Sequence, residues 1–199
     1  QGVVLDVRTV GEYSRGHIPN STLISIADRE FVNKINLLQK DKPVYIYCLT
    51  GSRSRTAANY MEKIGFTKVY NLDRGILDWQ RNSFPVERSE AVAASNAKVY
   101  SPATYNSLIG SSNLVFVDFH AIWCAPCKQM SPIIDQLSTD FKGKVIVEKI
   151  DVEANRAIAE SNQIQSIPGF ILYKNGQKVW THKGMISYAD LSKLLNSNL

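Results

Sequence analysis

The sequence predicts an α/β protein in two halves, and three observations carry that expectation. Short β-rich apolar runs alternate with helical patterns along the chain. Two cysteine-bearing loops each follow a β-rich run and precede a helical pattern. Between them, Glu87 to Asn96 is small and polar with no strong apolar period. A chain of 199 residues has room for two small domains. The boundaries read from it are 1–88 for the first domain, 89–96 for a linker, which its alanines would allow to be partly helical, and 97–199 for the second.

In the first half, Val3-Val4-Leu5 opens a strand, and Phe31, Val32, Ile35 and Leu38 mark a helix. Val44-Tyr45-Ile46-Tyr47 is a continuous apolar run, expected to be buried on both faces. A helix follows over Ser54 to Ile64, with Ala57, Tyr60, Met61 and Ile64 on its apolar stripe. Val69 to Leu72 is a short strand, and Gly75 to Trp79 begins a last helix. In the second half, Lys98-Val99-Tyr100 leads to Ser101-Pro102, an N-cap followed by proline at N1. Leu114 to Phe119 is a buried strand carrying one acid, Asp118. The next helix has Met130, Ile133, Ile134 and Leu137 on its apolar face and Pro132 inside it, where a kink is expected. Val145 to Ile150 is a strand. Asn175-Gly176 joins Phe170–Tyr173 to Lys178–Thr181 as a hairpin, and a helix capped by Ser187 runs through Leu191, Leu194 and Leu195.

No apolar stretch is long enough to span a bilayer, so no membrane span is expected. The net charge of +5 is dispersed, which suits small anions or mildly acidic partners; no nucleic-acid motif accompanies it, and nucleic acid is not expected as a partner. Three cysteines cannot pair fully, which excludes a disulfide scaffold. Their placement instead puts a thiol at a helix N-terminus twice, where amide donors and the helix dipole favour the reactive thiolate.

Cys124 and Cys127 lie in Trp123-Cys124-Ala125-Pro126-Cys127-Lys128. A zinc site would need further ligands, and neither Cys48 nor His17, His120 or His182 has ligand-like spacing to the pair, so no metal is expected. With Ile167-Pro168 ahead of the strand Phe170–Tyr173, residues 97 to 199 resemble the thioredoxin family. The resemblance implies that Cys124, the more exposed thiol, attacks a substrate disulfide and that Cys127 resolves the mixed disulfide. It makes Asp118 the buried acid beneath the pair, with a raised pKa suited to proton transfer, and Lys149 the lysine near that acid. Trp123, Ala125, Pro126, Ile167, Pro168 (the family's cis-proline) and Gly184 would line the substrate groove. The chain departs from the family's usual residues at His120 (tryptophan), Ala125 (glycine) and Gly169 (threonine). Ala125 bears on the redox poise, and His120 adds a titratable group.

Cys48-Leu49-Thr50-Gly51-Ser52-Arg53 lies between a buried strand and a helix, a setting in which successive backbone N–H groups can converge on an anion. A persulfide and a phosphocysteine both suit such a cradle. Related phosphatases separate Cys and Arg by one residue more. With Leu5-Asp6-Val7-Arg8, Glu12-Tyr13, Gly16-His17-Ile18-Pro19 and the closing segment Gly65-Phe66, Val69 and Gly75 to Trp79, residues 1 to 88 resemble the rhodanese family. Arg74 stands where that family usually has the first of two glycines. The resemblance implies that Cys48 carries a sulfane sulfur. Leu49, Thr50, Gly51, Ser52 and Arg53 would bind the anionic donor, and Arg55 would either add positive field or stand solvated. Asp6, Glu12 and His17 are read as structural.

The expected architecture is therefore a rhodanese-like parallel-sheet sandwich followed by a thioredoxin fold with a mixed central sheet. The expected activity is a thiosulfate or persulfide sulfurtransferase forming a Cys48 persulfide, coupled to a thiol–disulfide oxidoreductase. The alternatives are a protein-disulfide reductase whose first half recruits a partner, and a non-catalytic sulfur carrier. No cofactor is implied beyond the Cys124/Cys127 dithiol and the covalent persulfide. The implied partners are small anionic sulfur donors such as thiosulfate, disulfide-bonded protein or persulfide substrates, and an upstream thiol reductase. Only Gln1-Gly2 precede the first motif, where family members normally carry a further strand and helix; this favours a bacterial periplasmic or envelope protein over a cytoplasmic one.

Overall fold

The computed structural model describes residues 2–88 and 97–199; the expected linker, 89–96, lies outside the described residues. The chain divides into two compact units, Gln1–Ala94 and Ser95–Leu199.

The first unit is an α/β layer structure. Strands β1 (Val3–Asp6), β2 (Ser21–Leu23), β3 (Val44–Tyr47) and β4 (Val69–Asn71) form a parallel sheet in the order β2-β1-β3-β4. Helices α1 (Val10–Arg15), α2 (Phe31–Asn36), α3 (Ser52–Lys63) and α4 (Gly75–Arg81) connect or follow them. Parallel strands need such crossovers, because no tight turn can join them. Helix α1 starts at a capping box: Thr9 Oγ1 accepts from Glu12 N, and the Glu12 carboxylate accepts from Thr9 N. Beyond β1, a buried ion pair fixes the chain, with Arg8 Nη2 donating to Asp6 Oδ2 at 2.6 Å and to Gly16 O at 2.7 Å. The His17 ring stacks on Tyr13, and Nδ1 lies 3.0 Å from Tyr13 O.

Three expectations are corrected here. The run Val44–Tyr47 is not buried on both faces: Tyr45 is 50% exposed, because it pairs in register with Tyr70 of the edge strand and the two rings stack at 5.3 Å on an open face. Tyr60 is exposed, because the buried stripe of α3 runs through Ser54, Ala57, Ala58 and Met61, and Tyr60 falls one position off it. Helix α3 starts at Ser52, two residues early, because Gly51 turns the chain at φ +96° as its N-cap. Cys48 lies in the loop just ahead of the helix, and its thiol faces amides at the helix N-terminus, those of Gly51 and Ser54 among them.

The second unit has a mixed sheet. Strands β5 (Leu114–His120), β6 (Ile146–Asp151), β7 (Gly169–Lys174) and β8 (Gln177–Lys183) run in the order β6-β5-β7-β8. β5 pairs parallel with β6 and antiparallel with β7, and β7 pairs antiparallel with β8. The hairpin turn is Asn175-Gly176, both at positive φ, as a primed turn requires. Helices α5 (Pro102–Ile109), α6 (Ala125–Asp140), α7 (Arg156–Ser161) and α8 (Tyr188–Asn196) complete the unit. Ser101 caps α5 with proline at N1, and Ser187 caps α8. The core joins Phe116, Phe170 and Leu172 of the sheet to Met130, Ile134 and Leu137 of α6 and Leu191 and Leu195 of α8. Fully burying one such side chain contributes about 1.5–3 kcal/mol.

Candidate functional site

Cys48 follows the last residue of β3 and is a free, fully buried thiol. Its Sγ accepts from Gly51 N at 3.2 Å and from Ser54 Oγ at 3.4 Å. Burial pushes the thiol up. The Ser54 hydroxyl and the amides of Ser54, Thr50 and Gly51 outweigh it, and Cys48 sits below its ordinary value. Behind the loop, helix α4 donates Ile76 N to Cys48 O at 2.9 Å and Leu77 N to Leu49 O at 3.2 Å. Gly51 cannot be replaced within this geometry, since a Cβ there would lie 1.8 Å from Asp73 O. Leu49, Thr50 and Ser52 hold exposed positions on the loop.

Arg53 is tied to a carboxylate: Nη1 donates to Glu12 Oε2 at 3.0 Å and Nη2 to Glu12 Oε1 at 2.6 Å. The Cys48 thiolate is a second anion acting on it. Glu12 thus serves the capping box, as the structural reading held, and also belongs to the Cys48 site. Arg55 is exposed and pairs with Asp73. Neither Ser54 nor the Glu12–Arg53 contact is singled out by the sequence reading. The signal for Ser54 is its i+3 spacing from Gly51, which turns its hydroxyl back to the loop.

Cys124 and Cys127 are joined as a disulfide across the first turn of α6, with Cys124 as its N-cap. Cys124 is not the more exposed cysteine: it is fully buried, and Cys127 is 5% exposed. The reason is local, since Cys124 Sγ turns into the helix to accept Cys127 N at 3.2 Å. The Trp123 indole donates to Glu153 Oε2 at 2.8 Å, which holds the ring beside the pair, while Ala125 and Pro126 form the first turn. The Ile167–Pro168 bond is cis, and Pro168 O accepts from Gly184 N at 2.8 Å, so Pro168 and Gly184 come together. Gly169 stands where a Cβ would come 2.9 Å from Ser166 O, which accounts for glycine at that departure.

Asp118 lies mid-strand on β5, 3% exposed, and among the described residues its Oδ1 has no hydrogen-bond partner. Burial raises its pKa to about 7; the Lys149 charge opposes the rise and Asp135 adds to it. Lys149 is opposite Asp118 in register, but its ammonium donates to Ser131 Oγ and Asp135 Oδ1. Half-buried His120 ends β5, and burial lowers its pKa against the pull of Asp151. Among the described residues no group of three or more His, Cys, Asp or Glu could hold a metal ion, and no helix is long and apolar enough to cross a membrane.

Comparison with known proteins follows this division. The thioredoxin family model matches residues 96–197, and the rhodanese-like domain model matches residues 1–82. Thioredoxin 1 of Chlorobaculum tepidum is 42% identical over 89 residues, covering 44% of this chain and 88% of that protein. The thioredoxin of Haemophilus influenzae is 36% identical over 98 residues, covering 49% and 92%. The chloroplastic M-type thioredoxin of Pisum sativum is 32% identical over 147 residues, covering 73% and 80%. The chain belongs to the thioredoxin family, with a rhodanese-like domain ahead of its thioredoxin domain.

Proposed function

We propose that this chain is a two-site thiol enzyme in which Cys48 accepts a sulfane sulfur and the Cys124/Cys127 dithiol reduces the resulting persulfide. The observation that carries the sulfur-transfer half is the Cys48 cradle: a buried thiol below its ordinary pKa, facing loop amides and a serine hydroxyl, with an arginine beside it. Those donors stabilise negative charge on Sγ and on a sulfur bonded to it. Anionic sulfur donors such as thiosulfate, or persulfides, supply the sulfur. In the second half, Cys124 attacks and Cys127 resolves, with Asp118 exchanging a proton near neutral pH.

The coupled step balances. A Cys48 persulfide and the reduced dithiol give Cys48 thiol, hydrogen sulfide and the Cys124–Cys127 disulfide. Sulfane sulfur is reduced, the dithiol is oxidised, and an upstream thiol reductase restores it. Tethering both sites in one chain gives an effective concentration on the order of millimolar when they can meet. Disulfide-bonded proteins are the second substrate class of the dithiol.

The test is mass spectrometry of the full chain after thiosulfate treatment. One added sulfur on Cys48 is expected, stable while the disulfide is oxidised and released as sulfide after Cys124/Cys127 are reduced. Equal sulfide release from a Cys124→Ser/Cys127→Ser chain would remove the coupling. Absence of sulfur on Cys48 would leave a disulfide reductase whose first domain binds partners.

A further inference from the structure

Arg53 and Arg55, the two arginines that follow the Cys48 loop into α3, are both paired with carboxylates. Arg53 gives two charge-assisted bonds to Glu12, and the two side chains are only 36% and 18% exposed. Glu12 is not free to swing away, because the same carboxylate accepts from Thr9 N at 3.0 Å and Thr9 Oγ1 at 2.9 Å as part of the α1 capping box. At the rim, Arg55 pairs with Asp73. Arg53 still interacts with the Cys48 thiolate, but Glu12 offsets much of its positive charge, so the loop amides and the Ser54 hydroxyl carry a larger share of any charge arriving at Cys48.

We propose that this pairing makes the Cys48 loop selective for sulfur donors of low charge, organic hydropersulfides, over dianionic thiosulfate, with Glu12 as the specificity-determining residue. The inference rests on the reading of Cys48 as a sulfur carrier. With a hydropersulfide, the Cys48 thiolate forms a bond to the terminal sulfur of R–S–SH. The S–S bond breaks, its electron pair leaves on R–S⁻, and the proton stays on the transferred sulfur, giving Cys48–S–SH. One negative charge is present throughout. With thiosulfate, the same attack expels sulfite dianion and gathers three negative charges at the loop, which a paired arginine cannot neutralise. The two reactions share the nucleophile and differ in the charge the site must hold, so charge is where the site can discriminate.

The experiment uses the full chain with Cys124–Cys127 kept oxidised and follows sulfur on Cys48 by mass spectrometry in single turnovers. The probes are thiosulfate and the hydropersulfide of 2-mercaptoethanol. Glu12→Gln keeps the side-chain size and the capping-box acceptor while removing the charge. It is expected to raise the ratio of the thiosulfate rate to the hydropersulfide rate about tenfold. Adding Arg53→Gln should cancel the gain. A folded Glu12→Gln chain with an unchanged ratio of the two rates overturns the proposal and leaves the sulfur-carrier reading standing. If that variant does not fold, the wild-type salt dependence decides: a flat thiosulfate rate from low to high salt supports a neutral rim, and a steep fall overturns it. No sulfur on Cys48 from either probe removes the carrier reading and this inference together.

Discussion

Asp118 and Lys149 stand opposite each other in register on β5 and β6, yet their charges do not bond. The Lys149 ammonium turns to Ser131 Oγ at 2.8 Å and Asp135 Oδ1 at 2.5 Å, while Asp118 Oδ1 stays without a partner among the described residues. The Lys149–Asp135 pair is open to solvent on its Asp135 side, which keeps its own contribution to stability small. Its effect is to keep the cation from neutralising the buried acid.

That arrangement has a pH signature. The folded-state pKa of Asp118 lies above its ordinary 3.8, at about 7. The native chain therefore keeps a proton that the unfolded chain gives up, and stability falls as pH rises from about 4 to 7. Asp118→Asn should stabilise the protein at pH above that window by a few kcal/mol, about 4 at most, and make no difference below it. Denaturant melts on either side of the window check this. An equal gain at both pH values would point to packing instead.

Ser54 is expected to hold the Cys48 thiolate. Ser54→Ala should raise the Cys48 titration midpoint and slow its alkylation near neutral pH by about fivefold, the worth of one hydrogen bond of about 1 kcal/mol. Rates of iodoacetamide reaction against pH report both. A slower rate with an unshifted midpoint would assign Ser54 a packing role.

Two glycines should respond in opposite ways. Gly11 is an exposed helical position where a Cβ meets nothing within 4 Å, so Gly11→Ala should stabilise by about 0.5–1 kcal/mol. At Gly51 both the backbone angle and Asp73 O forbid a side chain, so Gly51→Ala should lose the depressed Cys48 titration. Thermal melts and thiol titration of the two variants, run together, separate these outcomes.

Glu12 gives the first unit an acid limit. Its carboxyl is held down to about 2 from 4.5, chiefly by Arg53, so the stability it contributes is present above pH 4.5 and is lost as pH falls toward 2. Glu12→Gln should flatten the fall in Tm across that acid range. Parallel Tm curves for wild type and variant would refute this.

Long or strongly patterned elements were legible from sequence: β5, α6, the Asn175-Gly176 hairpin and the Ser101 and Ser187 caps. Among the short ones, β4 and α2 stood out by their apolar residues, but three escaped it. Strand β2 has three residues, and α1 and α7 have six each, too few for a period to stand out. Tyr45 misled for a different reason: an unbroken apolar run does not say which face a neighbouring layer covers. At the site, the cysteines were visible as motifs, but the Glu12–Arg53 contact joins residues 41 apart in sequence, and only the fold brings them together.

The bonds from α4 to the Cys48 loop also decide which way that loop faces. In a trans peptide unit the carbonyl and the next N–H point in opposite directions. Because Cys48 and Leu49 give their carbonyls to Ile76 and Leu77, the N–H groups of Leu49 and Thr50 are turned the other way, away from α4. The helix at the back thus works as a jig that sets the polarity of the loop in front of it. A substitution in α4 that never touches sulfur then weakens the loop's hold on negative charge by releasing a single peptide plane.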